Sequence, residues 1–187
     1  MSVFLYIYIY IYIYHRYERR NIYEEARSGH VTCNVWGWMS LHGVGDLTRI
    51  DGRFTAVKYI DILENFFLPS LRQHNYPFPP GPIIFVHDRS PIHTARAVQQ
   101  WFADHEDLQL LPWPSKGCDC NPIENLWANM VNTWEPERER TTAELFDHAL
   151  TQWEFFRGHS QIVHNLVSSM PERLQDVIDK EGGWTCH

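Results

Sequence analysis

The stretch Pro82–Trp134, PIIFVHDRSPIHTARAVQQWFADHEDLQLLPWPSKGCDCNPIENLWANMVNTW, contains an apolar run followed by a helical pattern, twice over. The first apolar run is Ile83–Val86 and the second is Leu108–Trp113. After each run, apolar residues recur at the spacing of one helix face. The order strand, helix, strand, helix predicts an α/β fold, with parallel strands flanked by helices.

Two carboxylates fall at one edge of this predicted sheet. Asp88 lies just past the first strand, and Glu124 lies in the first turn of the helix after the second strand. In open α/β sheets, polar ligands bind outside the carboxyl ends of the strands. Carboxylate oxygens are ligands that suit Mg²⁺, so the pair suggests a divalent-metal site for phosphoryl chemistry.

Local structure offers a second explanation for the same region. An aspartate followed by Arg, Ser and Pro is an ordinary turn former. Asn121, Pro122 and Glu124 have the order of a capping box, in which the glutamate bonds back to the first residue. His93 could face the functional edge or solvent, and Thr94 is a candidate helix cap. The residues alone leave both explanations open.

Size and composition indicate one globular domain with a substantial core. The chain has 187 residues, of which 44% are hydrophobic and 21% charged. Its formal net charge of −7 argues against a stand-alone nucleic-acid-binding protein, because phosphate contacts need Lys and Arg. An enzyme that contacts DNA locally remains compatible with that charge.

The four cysteines predict neither disulfides nor zinc. Cys118 and Cys120 are separated by one residue rather than two, and Cys186 precedes the terminal His187. The spacing differs from that of zinc knuckles, and Cys33 stands alone, so we expect no zinc site and a reducing compartment.

Residues 1–15 form a low-complexity tract, in which Tyr and Ile alternate from Tyr6 to Tyr14. The alternation predicts a strand, and the tract is too short to cross a bilayer as a helix. We therefore expect two parts, the tract and a domain over residues 16–187, and no membrane association.

The remaining chain is predicted to supply a hairpin and supporting helices. Two strands, His30–Ser40 and Leu47–Ile50, are joined by the glycine-containing loop Leu41–Gly45. A helix over Thr55–Leu68 is expected to stop at Pro69. The other predicted segments are an arm at His15–Arg27, a loop at Arg72–Pro82, and helices that begin at a Thr141/Glu144 capping box, at Ser160 and near Pro171.

Several motifs together resemble mariner-like transposases of the DDE superfamily. The resemblance covers about Arg16 to Gly183, in the family's order. The motifs are Trp36–Ser40, Gly45–Gly52, Tyr59–Glu64, Val86–Thr94, Trp113–Ser115, Asn121–Trp127 and Ser169–Ile178.

This resemblance implies a ribonuclease-H-like fold, in which three acids bind two Mg²⁺ or Mn²⁺ ions for DNA strand cleavage and transfer. Asp88 resembles the second acid and Glu124 the third, with a separation of 124 − 88 = 36 positions. His93, Asn121 and Asn125 lie in the same motifs, so we expect them near the site. The implied partners are transposon-end DNA and other subunits, either copies of this chain or intact transposases, and the implied location is nuclear.

The chain departs from the family pattern at the first acid. The family's first Asp lies on a strand upstream of Trp36, and no acidic residue precedes Glu18 here. The family's N-terminal DNA-binding region is not recognised either, Gly117–Cys120 replaces the usual Ser-Pro-Asp-Leu, and Arg89 stands where Asn is common. We therefore expect a truncated core that is deficient in catalysis. The alternatives are a non-catalytic interaction module and a functionless transposon remnant.

The missing acid would also leave a gap in the sheet. In this fold the strand with the first Asp lies between the hairpin and the Asp88 strand. An empty slot there would expose unpaired backbone groups, each costing about 1–3 kcal/mol if buried. Our hypothesis is that the Tyr/Ile tract partly fills this slot, or adds to an edge of the sheet, without supplying a carboxylate.

Overall fold

The computed structural model describes residues 4–9, 32–113, 120–134 and 141–180, with the backbone alone for 4–9. The predicted arm and the Cys118, Cys186 and His187 positions lie outside these residues. The strands are β1 (Phe4–Ile9), β2 (Val35–Ser40), β3 (Gly43–Arg49), β4 (Ile83–Val86) and β5 (Leu108–Leu110). The helices are α1 (Ala56–Ile62), a π-helical turn (Leu63–Phe67), α2 (Leu68–His74), α3 (Arg96–Ala103), α4 (Ile123–Asn132), α5 (Thr142–Gly158), α6 (Ser160–Ser168) and α7 (Met170–Asp179).

The five strands form one mixed sheet in the order β3-β2-β1-β4-β5. β2 pairs antiparallel with both β1 and β3, whereas β4 pairs parallel with both β1 and β5. The α/β class predicted from the sequence is therefore confirmed, with helices on the sheet and further helices at the C-terminal end of the chain.

The Tyr/Ile tract provides the central strand. β1 pairs with the hairpin on one side and with β4 on the other, where Phe4 is level with Ile84 and Tyr6 with Val86. The hypothesis that the tract fills the central slot is confirmed, and its alternative, addition at an edge, is wrong. The sequence of this strand, FLYIYI, contains no acid.

Hydrophobic side chains cover both faces of the sheet. On β2, Val35 and Met39 contribute to one cluster, while Trp36 and Trp38 contribute to the other, as the two-residue period of a strand requires. All six residues of β2 are buried. Such burial on both faces is typical of an inner strand and explains why this segment lacks a polar alternation.

The first helical segment continues past Pro69, so the predicted stop there is wrong. The Leu68 N–H donates to the Leu63 carbonyl, five residues back, and this wider turn ends just before the proline. Pro69 then lies in the first turn of α2, where its missing N–H costs least. The helix ends only at Asn75, whose φ of 45° is left-handed.

Other boundaries also differ from the sequence-based expectations. The hairpin turn is Leu41–His42 alone, and β3 already begins at Gly43, whose φ is 139°. The N-cap position of α3 is occupied by Ala95, not Thr94, and no side chain caps this helix. The capping box of Thr141 and Glu144 is confirmed, with both reciprocal hydrogen bonds present.

Candidate active site at the carboxyl edge of β4

Asp88 and Glu124 meet at the edge where β4 ends. Asp88 lies two residues past β4, with a side chain that is 27% exposed, and Glu124 lies in the first turn of α4. Burial raises the pKa of the Glu124 carboxyl to about 7, and the nearby negative charge of Asp88 adds to this rise. The two carboxylates are therefore close enough to interact electrostatically.

Neighbouring donors orient the Asp88 carboxylate. Its Oδ1 accepts a hydrogen bond from the Ser90 backbone N–H at 3.0 Å and lies 2.5 Å from the His93 Nδ1. The bond to Ser90 is that of an aspartate-led turn, so the turn-forming explanation of Asp88 also holds. The turn and the histidine thus act on the same oxygen, Oδ1.

His93 is buried, with 1% of its surface exposed, so it does not face solvent. Its ring stacks on His87 at 4.7 Å and contacts Tyr59 at 4.6 Å, between ring centroids. The Tyr59 hydroxyl and the His87 Nδ1 share a hydrogen bond of 2.9 Å. Burial, with a smaller contribution from His93, lowers the pKa of His87 to about 3, so His87 is neutral at physiological pH. Two rings thus support the residue that orients Asp88.

Sequence reasoning did not identify His87 or Tyr59 as part of this arrangement. His87 directly precedes Asp88, and this adjacency was the sequence feature that could have placed it near the site. Tyr59 lies on α1 and is fully buried. Nothing in the local pattern indicates that its hydroxyl reaches a residue 28 positions away.

Asn121 does not form the predicted capping box with Glu124. The helix begins at Ile123, and the buried Asn121 accepts from the Ile123 N–H at 3.4 Å through its Oδ1. Within the described parts of the chain, the Glu124 carboxylate makes no hydrogen bond. The capping explanation of Glu124 is therefore wrong, because the helix starts one residue later than a box led by Asn121 would need.

Asn125 contacts a neighbouring helix. Its Oδ1 accepts a hydrogen bond of 2.9 Å from the Nη2 of Arg173, which is buried in α7. Arg173 also donates through Nε to the Ser169 Oγ at 2.8 Å. These bonds connect the first turn of α4, which carries Glu124, to α7.

Asp88 and Glu124 are the carboxylates at this edge that could hold a divalent cation. Across residues 32–113, 120–134 and 141–180, no cluster of three or more His, Cys, Asp or Glu side chains could hold a metal ion. Mg²⁺ is commonly held by one or two carboxylates, while water and substrate phosphate complete its coordination. Asp88 and Glu124, whose mutual repulsion a cation would relieve, meet that minimum.

A cavity of about 610 Å³ opens beside Asp88, between α3 and the carboxyl end of β5. Its polar wall includes Asp88, Arg89, Thr94 and Gln99. Its apolar wall consists of Phe102, Ala103, Leu110, Leu111, Pro112 and Trp113. The volume is that of a small-ligand site.

Glu124 should make the stability of the protein decrease as pH rises. Its pKa is about 7 in the folded chain against a reference value of 4.5, so folding favours the protonated form. That stabilisation is complete below the unfolded value and is lost as pH rises through 7, by roughly 3 kcal/mol at most. We expect Glu124→Gln to be the more stable form at pH 8 in urea unfolding, with little difference at pH 5.

The matched control for this prediction is Glu172→Gln, which changes an exposed glutamate of α7. It should leave the pH dependence of unfolding unchanged. Comparing each variant with the parent at each pH cancels the titration of the other groups. If Glu124→Gln and the parent showed the same slope between pH 5 and 8, the raised pKa of Glu124 would be contradicted.

No helix among the described residues is long and apolar enough to cross a membrane.

Comparisons with known proteins identify the relatives of this fold. A family model described as DDE superfamily endonuclease matches residues 9–146. The Tcb2 transposase of Caenorhabditis briggsae is 31% identical over 159 residues, which are 85% of this chain and 56% of that protein. The Tc1 transposase of Caenorhabditis elegans is 30% identical over 168 residues, which are 89% of this chain and 59% of that protein. The chain thus spans about half the length of these relatives.

Solved structures confirm the ribonuclease-H-like fold. The catalytic domain of the Mos1 mariner transposase superimposes with a TM-score of 0.75 at 20% identity, over 96% of this chain and 83% of that one. The Mos1 paired-end complex with Mg gives a TM-score of 0.73 at 20% identity, over 97% of this chain and 56% of that one. At this level of identity the match concerns the fold.

Proposed function

Since this chain belongs to the DDE superfamily of endonucleases, we propose that it is a transposase catalytic domain that binds one divalent cation and is deficient in DNA strand cleavage. Asp88 and Glu124 hold the cation, by resemblance the second and third acids of the family. The bound cation would polarise a phosphodiester and lower the pKa of a coordinated water.

The central strand carries this proposal. β1 occupies the slot in which the family places its first acid, and its register with β4 runs to Tyr6 opposite Val86. Continued by two residues, that register sets Tyr8 level with Asp88. A phenol there supplies no carboxylate, and the slot is already filled, so no other strand can enter it. Among the described residues, no third carboxylate would then join Asp88 and Glu124 to hold a second cation.

Residues around Asp88 and Glu124 still prepare the two carboxylates for a cation. His93 and the Ser90 N–H hold one oxygen of Asp88 in place. The raised pKa of Glu124 keeps a buried negative charge from accumulating until a cation arrives. The orientation of Asp88 favours cation binding, and a cation would displace the proton of Glu124, but neither feature supplies the charge stabilisation that cleavage requires.

Solved structures of the Mos1 transposase include a strand transfer complex and a pre-cleavage transpososome. By this likeness, the chain contacts transposon-end DNA and assembles with copies of itself or with intact transposase subunits. Its location is then nuclear, where that DNA lies.

The test combines a cleavage assay with a binding measurement. We expect no nicking of supercoiled plasmid above background in Mg²⁺ or Mn²⁺, because one acid of three is absent. Mn²⁺ should nevertheless bind, and Asp88→Asn should weaken its affinity by at least about tenfold, measured by titration calorimetry. Asp107→Asn changes an exposed aspartate at the opposite end of β5 and should have no effect. Nicking by the unmodified chain that Asp88→Asn abolishes would overturn the proposed deficiency.

An interaction module is the second candidate, and α7 favours it. Leu174 and Ile178 are 43% and 67% exposed and lie one helical turn apart. Apolar residues on one exposed helix face are suited to packing against another subunit. Replacing both by Lys should abolish co-purification with an intact relative if this candidate is correct, while leaving Mn²⁺ binding unchanged.

A further inference from the structure

The cavity beside Asp88 has the guanidinium of Arg89 at its mouth and apolar side chains in its wall. It also opens next to the proposed divalent-cation site. We propose that it is a binding subsite for one nucleotide unit of a DNA strand, with the phosphate on Arg89 and the unstacked base between α3 and the segment after β5. This inference rests on the proposed function, because it names the part of the substrate that the same site would hold.

Arg89 provides the anion-binding group. It lines the mouth of the cavity, and its side chain is exposed. Within the described residues it makes no ion pair and no hydrogen bond, although it directly follows an aspartate. Its guanidinium is therefore available to a phosphate, which it can bind through two parallel hydrogen bonds.

The opposite wall is suited to a base. Two aromatic rings, those of Phe102 and Trp113, lie in this wall together with Leu110, Leu111 and Pro112. A base that leaves its stack loses apolar contacts, and a wall of this composition replaces them. The volume of about 610 Å³ is within the range of pockets that hold ligands of nucleotide size.

Polar groups at the rim complete the match. The Gln99 Nε2 donates to the His93 carbonyl at 3.1 Å, and the Thr94 hydroxyl donates to the Ser90 carbonyl at 3.0 Å. Both side chains keep acceptor capacity beyond these bonds, because an amide oxygen and hydroxyl lone pairs remain. Base edges present hydrogen-bond donors to such acceptors.

The position of the cavity selects DNA over an unrelated ligand. Asp88 forms part of its wall, so a phosphate on Arg89 would lie beside the cation that Asp88 and Glu124 are proposed to hold. The net charge of −7 repels a polyanion elsewhere on the chain, which favours a local contact with one unit over a long electrostatic footprint.

Two variants separate the phosphate contact from the base contact. Arg89→Gln removes the charge, and Ala103→Phe fills the cavity from an exposed position near the end of α3. Arg96→Gln and Ala97→Phe are the matched controls, since both positions are exposed on α3 and neither lines the cavity. Binding is measured by fluorescence anisotropy in Ca²⁺ with a single-stranded thymidine oligomer and with an abasic sugar–phosphate oligomer of equal length.

We expect Arg89→Gln to weaken binding of both oligomers by about tenfold and to reduce the salt dependence by about one phosphate contact. Ala103→Phe should weaken the thymidine oligomer by about tenfold and leave the abasic oligomer unchanged, because it excludes only the base. Both controls should stay within about twofold of the parent in these assays.

Unchanged thymidine binding in both variants would overturn the subsite, and so would equal weakening of both oligomers by Ala103→Phe. Displacement of the oligomer by thymidine monophosphate at equal concentration would show that the pocket takes free nucleotides, which also contradicts a strand-bound unit. Mn²⁺ titration of Arg89→Gln keeps the two proposals apart. If Arg89→Gln keeps both its Mn²⁺ affinity and its DNA binding, only the subsite is contradicted. If the parent protein does not bind Mn²⁺, the proposed cation site is contradicted.

Discussion

The Tyr8→Asp variant is expected to nick supercoiled plasmid in Mn²⁺ roughly a hundredfold above the background level expected of the unmodified chain, which is the scale of one restored electrostatic group in an active site. Continuing the β1–β4 register sets position 8 level with Asp88. A carboxylate there would complete three acids around the cation site and allow a second cation to bind. Adding Asp88→Asn to this variant should remove the gain.

Ile7→Asp is the matched control, because it adds the same charge to the same strand at a position on the opposite face of the sheet. It should give no nicking and no added stabilisation by Mn²⁺. Thermal unfolding with and without Mn²⁺ shows whether Tyr8→Asp folds, and Mn²⁺ should raise its melting temperature more than that of the parent. A folded, Mn²⁺-stabilised Tyr8→Asp protein that remains inert would contradict the idea that one missing acid limits cleavage.

Gly45→Ala is expected to destabilise the protein by at least about 3 kcal/mol, near the upper end of overpacking effects. A β-carbon at this position would lie 1.8 Å from the Cε2 of Trp38. The indole cannot yield, because it is fully buried and its Nε1 donates to the Ser70 Oγ at 3.0 Å. The backbone is held as well, since the Gly45 carbonyl accepts from the Trp153 Nε1 at 2.8 Å and from the Arg157 Nη2 at 2.9 Å.

Urea unfolding of Gly45→Ala measures this loss, and Gly158→Ala serves as its control. Gly158 lies at the end of α5, and an added methyl there meets nothing within 4 Å. The control should be neutral or slightly stabilising, because alanine favours helix over glycine. Adding Trp38→Leu to Gly45→Ala should recover part of the stability. A Gly45→Ala protein as stable as its parent would contradict the close contact with the indole.

Several helices and strands were predictable because their signals are local. The apolar runs that became β4 and β5 and the capping box of Thr141 need only neighbours in sequence. The predicted boundaries were wrong where a tertiary contact or a turn geometry outweighed the local sequence signal. The helix passed Pro69 because a π-helical turn accommodated the ring, and α4 began after Asn121 without a box.

The candidate site was predictable in part. The positions of Asp88 and Glu124 followed from strand and helix order combined with a family resemblance, and their assignment as ligands stays a prediction. The burial of His93 did not follow, because the rings that enclose it come from His87 and from Tyr59, 34 positions earlier in the chain. Such contacts depend on how α1 packs on the sheet, which no local pattern specifies.

By itself, the sequence determined that this chain forms an α/β domain of transposase type. Apolar periodicity and long motifs can be recognised in the sequence without knowing which distant residues are in contact. Only the tertiary structure decided that a Tyr/Ile tract is the central strand, because any alternating segment can form a strand and pairing alone selects its place. That choice sets an uncharged strand beside Asp88, and the chemistry of the site follows from it.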